Sequence, residues 1–190
     1  VGPEDEEAEP VVFTRNGCVT LTKKQGKRTV HSVGSNFWIA PDGVHVEGPF
    51  QAEKHEGHPW RQAILRQIGL KPAAAKALGR EWILTREELL AWDRRKWYVM
   101  RGLIADKIYY EEFCVWLAAT GTMKIVEFNW WHDNYWGNCE CIRCHKTGNN
   151  HLGQILMNER EKLIKSDDAI YKRIRKSYGL EAVHETAVAA

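Results

Sequence analysis

The sequence has no apolar run approaching the roughly 18 residues that a membrane-spanning helix requires, and no basic-then-apolar leader of the secretory type. A membrane protein is not expected. Glycine-rich phosphate grips are missing too. No Gly-x-Gly-x-x-Gly follows a strand-like stretch and no Gly-Lys-Ser or Gly-Lys-Thr closes a phosphate loop, which argues against dinucleotide-binding and nucleoside-triphosphatase sites. Charge of one sign is scarce: 27 basic residues face 25 acidic ones, a net charge of +2, so bulk charge does not point to nucleic acid. The signs are segregated, with an acidic run from Glu4 to Glu9 and a basic stretch from Lys172 to Lys176, which read as solvated ends. A paired disulfide framework is also lacking. The five cysteines are an odd number and three of them crowd between positions 139 and 144, which fits a reducing, cytoplasmic compartment.

What is present suits one domain. The chain has 190 residues, 44% of them hydrophobic, with nine tryptophans, no internal repeat and no second composition block. Residues 1–10 read as a disordered acidic tail, 11–180 as a single domain and 181–190 as a frayed tail. Alternation from Val11 to Val33 around Asn16-Gly17 and Gln25-Gly26 predicts an N-terminal β-hairpin. Helical patterns start at Pro49, at Pro59 (to Ile68, before Gly69) and at Pro72 (to Leu78, before Gly79). Thr85-Arg86-Glu87-Glu88 has capping-box form ahead of a long helix reaching Ile108. Further helices are expected over Glu111–Ala119 and Leu152–Lys165, and from Ser166-Asp167-Asp168 to Gly179. Met123–Phe128 reads as a strand, followed by a long loop, Asn129–Asn150. The expected class is α+β: a mostly helical single domain with a short N-terminal hairpin and few strands.

Three groups of residues could carry chemistry. Glu47 and Lys54 stand two helical turns apart, on nearly one face. On spacing alone the commoner outcome is a surface pair of little worth, with Glu53 and Glu56 completing a charge cluster. Asn129-Trp130-Trp131-His132-Asp133-Asn134-Tyr135-Trp136-Gly137 gathers flat faces, amides, an imidazole and a carboxylate. A binding loop and an aromatic plug of the core fit it equally. Cys139-x-Cys141-x-x-Cys144-His145 offers soft donors suited to tetrahedral Zn²⁺, although the spacing is too tight for a two-knuckle ribbon. A structural zinc on Cys139, Cys141 and Cys144 therefore stands beside free thiols of a reducing cell.

Four segments in order resemble the NADAR (YbiA-like) family over roughly residues 34–163. They are Ser35-Asn36-Phe37 with Val46-Glu47-Gly48-Pro49-Phe50-Gln51-Ala52-Glu53-Lys54; Ala73 to Gly79-Arg80; Trp92-Asp93-Arg94-Arg95-Lys96 with Val99-Met100; and Asp133-Asn134-Tyr135-Trp136-Gly137 with Gly148, Asn150, Leu152-Gly153, Leu156-Met157 and Arg160. Thr120-Gly121 lies between the third and fourth. The chain departs from the family at Gly48-Pro49, in its cysteine-rich insertion and in a longer N-terminal hairpin. The resemblance implies a hydrolase that cleaves an N-glycosidic bond, removing ADP-ribose from ADP-ribosylated guanine in nucleic acid or nucleotide. An N-glycosidase acting on ribosylamino-pyrimidine phosphates of riboflavin biosynthesis is the alternative. It implies Glu47, Lys54 and Asp133 as catalytic residues, with Asn36, Phe37, Gln51, Trp92, Trp136, Gly137, Asn150 and Gly153 binding substrate. No cofactor is required for catalysis on this reading. A non-catalytic ADP-ribose-binding module and a metal-knuckle nucleic-acid binder are the competing classes.

Overall fold

The computed structural model describes residues 10–145 and 147–189. The acidic run Glu4–Glu9 lies outside the described residues. From Thr14 onward, two hairpins replace the single expected one. Strands β1 (Thr14–Arg15) and β2 (Cys18–Thr20) pair antiparallel around Asn16 and Gly17, whose φ values of 51° and 73° are those a tight two-residue turn demands. Strands β3 (Thr22–Gln25) and β4 (Arg28–His31) form the second hairpin. β2 also pairs in parallel with β5 (Ile125–Val126), matching Val19 to Ile125.

The helical body is α1 (Glu47–Lys54), α2 (Pro59–Leu65), α3 (Pro72–Glu81), α4 (Arg86–Ala105), α5 (Glu111–Ala119), α6 (His151–Lys165), α7 (Ala169–Ser177) and α8 (Glu181–Ala189), with a 3₁₀ turn at Asp106–Tyr109 after α4. The capping box forms as expected: Glu88 N donates to Thr85 Oγ1 and Thr85 N donates to a Glu88 carboxylate oxygen. The main core joins α4, α5 and α6 to the β2–β5 pair through Met100, Ile104, Phe113, Trp116, Leu117, Ile125, Leu152 and Leu156, all essentially inaccessible to water. Arg160 fastens α6 to the turn before β5 by donating to Thr120 Oγ1 and the Met123 carbonyl, both at 2.8 Å. No described helix is long and apolar enough to cross a membrane.

Several boundaries differ from expectation. α1 begins at Glu47, ahead of Pro49, because a first-turn residue needs no intrahelical donor and the Glu47 N–H is taken by the Asn36 carbonyl at 3.1 Å. α3 runs through Gly79 to Glu81. That glycine serves close packing and not a helix stop, since a Cβ there would stand 2.1 Å from Gln51 Oε1. The expected strand over Met123–Phe128 is split. β5 ends at Val126, and β6 (Phe128–Asn129) pairs instead with β7 (Asn138–Cys139), leaving Glu127 at the break. In the tail expected to fray, α8 forms with no buried residue, and the His184 ring meets the Ile164 carbonyl of α6 at 2.6 Å.

Candidate active site

A cleft of about 740 Å³ opens between α1, α3, the middle of α4, the Ser35–Phe37 turn and the loop after β6. Its lining includes Asn36, Phe37, Glu47, Gln51, Lys54, Trp92, Asp133 and Trp136, so eight of the eleven expected catalytic and substrate-binding residues share one cavity.

Glu47, 2% exposed, sits in the first turn of α1. Asn36 Nδ2 donates to its Oε2 at 2.6 Å and Gln51 Nε2 donates to its Oε1 at 2.8 Å. Burial raises its carboxyl above the ordinary value, opposed by the Gln51 amide, the Lys76 charge, the Asn36 amide and the Arg80 charge. Lys54, at the other end of α1, is half-buried and donates to the Gly79 carbonyl at 3.0 Å. Burial and then the Arg80 charge lower its amine, while Glu47 pulls the other way. Glu53 and Glu56 do not join it: Arg95 pairs with both, at 3.1 and 2.9 Å, and Arg66 pairs with Glu53. The surface-cluster reading thus describes Glu53 and Glu56, and Glu47 and Lys54 turn inward.

Glu127, which sequence reasoning missed, also lines the cleft. Its N–H donates to Asn150 Oδ1 at 3.0 Å and its carbonyl accepts from Asn138 N at 2.8 Å. Its Oε2 is buried with no hydrogen-bond partner among the described residues. Burial foremost, then the negative charge of Asp133, pushes the carboxyl up to about 8, against a pull from Lys76 and with a further push from Glu47. The signal in the sequence was one carboxylate inside an apolar strand pattern, Ile125-Val126-Glu127-Phe128.

The loop after β6 is no plug. Trp130 and Trp131 are 44% and 45% exposed, and Trp131 and Trp136 line the cleft. Asp133 Oδ1 accepts from Tyr135 N and Trp136 N at 3.2 and 2.9 Å, and the Asn129 amide bridges the Asp133 backbone by two bonds. Phe50 takes Trp92 and Trp136 edge-on, with ring centroids 4.9 and 5.5 Å away. Positive groups ring the cleft: Lys76 lies over the Phe37 and Trp131 rings, Lys96 over Tyr135, and Arg80 follows Gly79.

Gly137, Asn150 and Gly153 are not among the lining residues. Asn150 is a buried splint that accepts from Glu127 N and donates to the Ile125 carbonyl at 2.9 Å. A Cβ on Gly137 would stand 2.1 Å from the Glu127 carbonyl, and one on Gly153 2.2 Å from the Ile125 carbonyl. All three hold the strand segment that carries Glu127. Lys107 does the same for the opposite rim. Buried over the Trp38 and Phe113 rings, it donates to the Val33 and Ser35 carbonyls, and burial lowers its amine to about 7. A smaller recess of about 370 Å³, beside β1–β4, is lined by Phe13, Arg15, Lys23, Phe128 and Trp130. Its described lining carries no carboxylate.

The cysteine reading changes in one respect. Cys139, Cys141 and Cys144 do converge, but the imidazole beside them is His132 and not the adjacent His145.

Comparison with known proteins agrees with this architecture. The profile of the NADAR domain matches residues 30–164. An N-glycosidase of Nostoc punctiforme, Npun_R5314, is 34% identical over 139 residues, covering 68% of this chain and 83% of its own. The N-glycosidase YbiA of Escherichia coli is 34% identical over 140 residues, covering 68% and 79%. The NMR structure of E. coli YbiA superimposes with a TM-score of 0.59 at 26% identity, over 83% of this chain and 89% of that one.

Proposed function

This chain belongs to the NADAR family and is a hydrolase of the N-glycosidase class, and from that premise we propose that it removes ADP-ribose from ADP-ribosylated guanine, in nucleic acid or nucleotide. The observation that carries the reading is a pair of carboxyls, buried Glu47 and half-buried Glu127 with its Oε2 shut off from water, lining one cleft with Lys54.

Breaking a ribosyl C–N bond requires a proton for the departing nitrogen and relief of positive charge at the anomeric carbon. The two carboxyls suit different parts of that task. Both oxygens of Glu47 accept from amide NH₂ groups, a setting for a carboxylate that balances positive charge and takes a proton from water. Glu127, pushed up to about 8, holds a proton at neutral pH and gives it to the leaving nitrogen. Lys54 can go further. Opening of the ribosylamine ring leaves an imine at C1, and neutral Lys54 adds there. The guanine nitrogen departs as an amine after taking a proton, and water hydrolyses the lysine imine to the free sugar. Burial and Arg80 favour the neutral amine this step needs. Asp133 orients a ribose hydroxyl or the water. Lys76, Arg80 and Lys96 suit a diphosphate, and Phe37, Trp92, Trp131 and Trp136 suit the flat faces of bases. The five free cysteines accord with a reducing, cytoplasmic setting.

The test is a mass-resolved time course on an oligonucleotide bearing guanine-linked ADP-ribose, with borohydride present in a parallel reaction. Restored guanine, free ADP-ribose and a borohydride-trapped adduct at Lys54 are expected. Turnover without an adduct replaces the imine route by direct attack of water. Absence of release from the oligonucleotide together with cleavage of a ribosylamino-pyrimidine phosphate would overturn the substrate.

A further inference from the structure

The Asn129–Asn150 loop carries a set of donors that glycosidic cleavage does not use. The ligand atoms of His132, Cys139, Cys141 and Cys144 all lie within 4.8 Å of one another. His132 Nδ1 stands 3.3 Å from Cys141 Sγ and 3.4 Å from Cys144 Sγ. A tetrahedral Zn²⁺ with Zn–S of about 2.3 Å and Zn–N of about 2.0–2.1 Å spaces its ligand atoms by roughly 3.5–3.8 Å. The two nitrogen-to-sulfur distances are therefore already near the edge lengths of such a tetrahedron.

The backbone supports the same grouping. Cys144 N donates to the Cys141 carbonyl at 3.2 Å and Thr147 N to the Cys144 carbonyl at 3.1 Å, closing a turn over Cys141–Cys144. Asn134 Oδ1 accepts from Cys139 N at 3.1 Å. His132 is held at φ 66°, a conformation rare for a residue with a side chain, between Trp131 and Asp133. His145, beside Cys144 in sequence, is not part of the group.

We propose that His132, Cys139, Cys141 and Cys144 form a structural zinc site that pins the cleft-lining part of this loop. Three thiolates and one imidazole are soft to borderline donors, the set that selects Zn²⁺ over hard cations. All four positions are filled by protein, leaving none for water, so the ion is structural and takes no part in the reaction. Binding releases the three thiol protons and leaves the centre with one net negative charge. Its leverage on the cleft comes from position: His132 lies between Trp131 and Asp133, which both line the cavity, whereas Glu47 and Lys54 sit on a separate helix.

The experiment is metal analysis of the full chain purified under reducing conditions without chelator, followed by Co²⁺ titration of the reduced, metal-stripped protein. One zinc per chain is expected, along with the visible bands of tetrahedral Co²⁺ and thiolate-to-cobalt charge transfer. Cys139 is fully buried and its replacement risks misfolding, so the informative variants are Cys141→Ser, His132→Ala and His145→Ala. The first two lower Co²⁺ affinity by at least about tenfold, because even outer partners of metal ligands are worth that much. His145→Ala binds as wild type does. A zinc-free protein that gives no charge-transfer band with Co²⁺ would overturn the proposal, as would unchanged binding by His132→Ala. Metal content is read without any substrate, so this outcome stands whatever base the enzyme removes.

Discussion

The two walls of the cleft are built in opposite ways. On the first, α1 and α3 present Glu47, Gln51, Lys54, Lys76 and Arg80 from regular helices, and side chains hold side chains: Asn36 and Gln51 both donate to the Glu47 carboxylate. On the second, Glu127 and Asp133 come from a strand break and a loop, and side chains hold backbone. Asn150 binds Glu127 N and the Ile125 carbonyl, Asn129 binds the Asp133 backbone, and Asp133 binds two N–H groups that follow it. The carboxyls differ accordingly. Glu47 has a donor on each oxygen, whereas Glu127 Oε2 has none among the described residues. A helix wall thus fixes a group that accepts, and a loop wall fixes a group that stays protonated.

Removing either carboxyl tests that contrast most severely. Glu47→Gln and Glu127→Gln should each slow turnover by roughly 10²–10⁴-fold in steady-state assays, the range for lost general acid–base catalysis, while circular dichroism stays unchanged. The rim cations should matter less. Lys76→Ala or Arg80→Ala should raise KM about tenfold with little change in kcat, because a charge-assisted hydrogen bond is worth about 1.5–3 kcal/mol and an exposed one sits at the low end.

Asn150→Ala attacks the loop wall through its splint. It leaves the Glu127 N–H and the Ile125 carbonyl without partners and should cost about 2–6 kcal/mol in denaturant unfolding, at about 1–3 kcal/mol per buried group. Stability against pH gives a further signal. Glu127 keeps its proton up to about 8 in the folded chain but only up to about 4.5 when unfolded. The folded state therefore holds more protons across that window, and its stability falls as pH rises through it. Glu127→Gln should flatten this slope. Lys107 runs the other way: its amine is lowered from 10.5 to about 7, so stability rises with pH between those values, and Lys107→Met should remove that rise.

The same division explains what the sequence disclosed. The helix wall was legible because Glu47, Gln51 and Lys54 fall in one continuous motif that resembles the family's, whereas their helical spacing alone suggested a surface pair; the α4 capping box is local chemistry. The loop wall was legible only in part, through Asp133 and Trp136. Glu127 gains its character from burial and from Asp133, which no spacing reports, and Asn150, Gly137 and Gly153 looked like ligand contacts because their motif surrounds the site. His132 replaced His145 beside the cysteines because the β6–β7 pairing brings Asn129 opposite Cys139, and sequence adjacency says nothing of that register. Gly79 read as a helix stop for a similar reason: its need is a long-range contact with Gln51.

The most direct test of the two-carboxyl account is guanine release from the ADP-ribosylated oligonucleotide, measured from pH 5 to 10 for wild type and Glu127→Gln. The account predicts a wild-type rate that declines above about pH 8, as Glu127 loses its proton, and a slow variant whose profile lacks that decline. A Glu127→Gln enzyme that releases guanine at the wild-type rate, with the same decline, would contradict it.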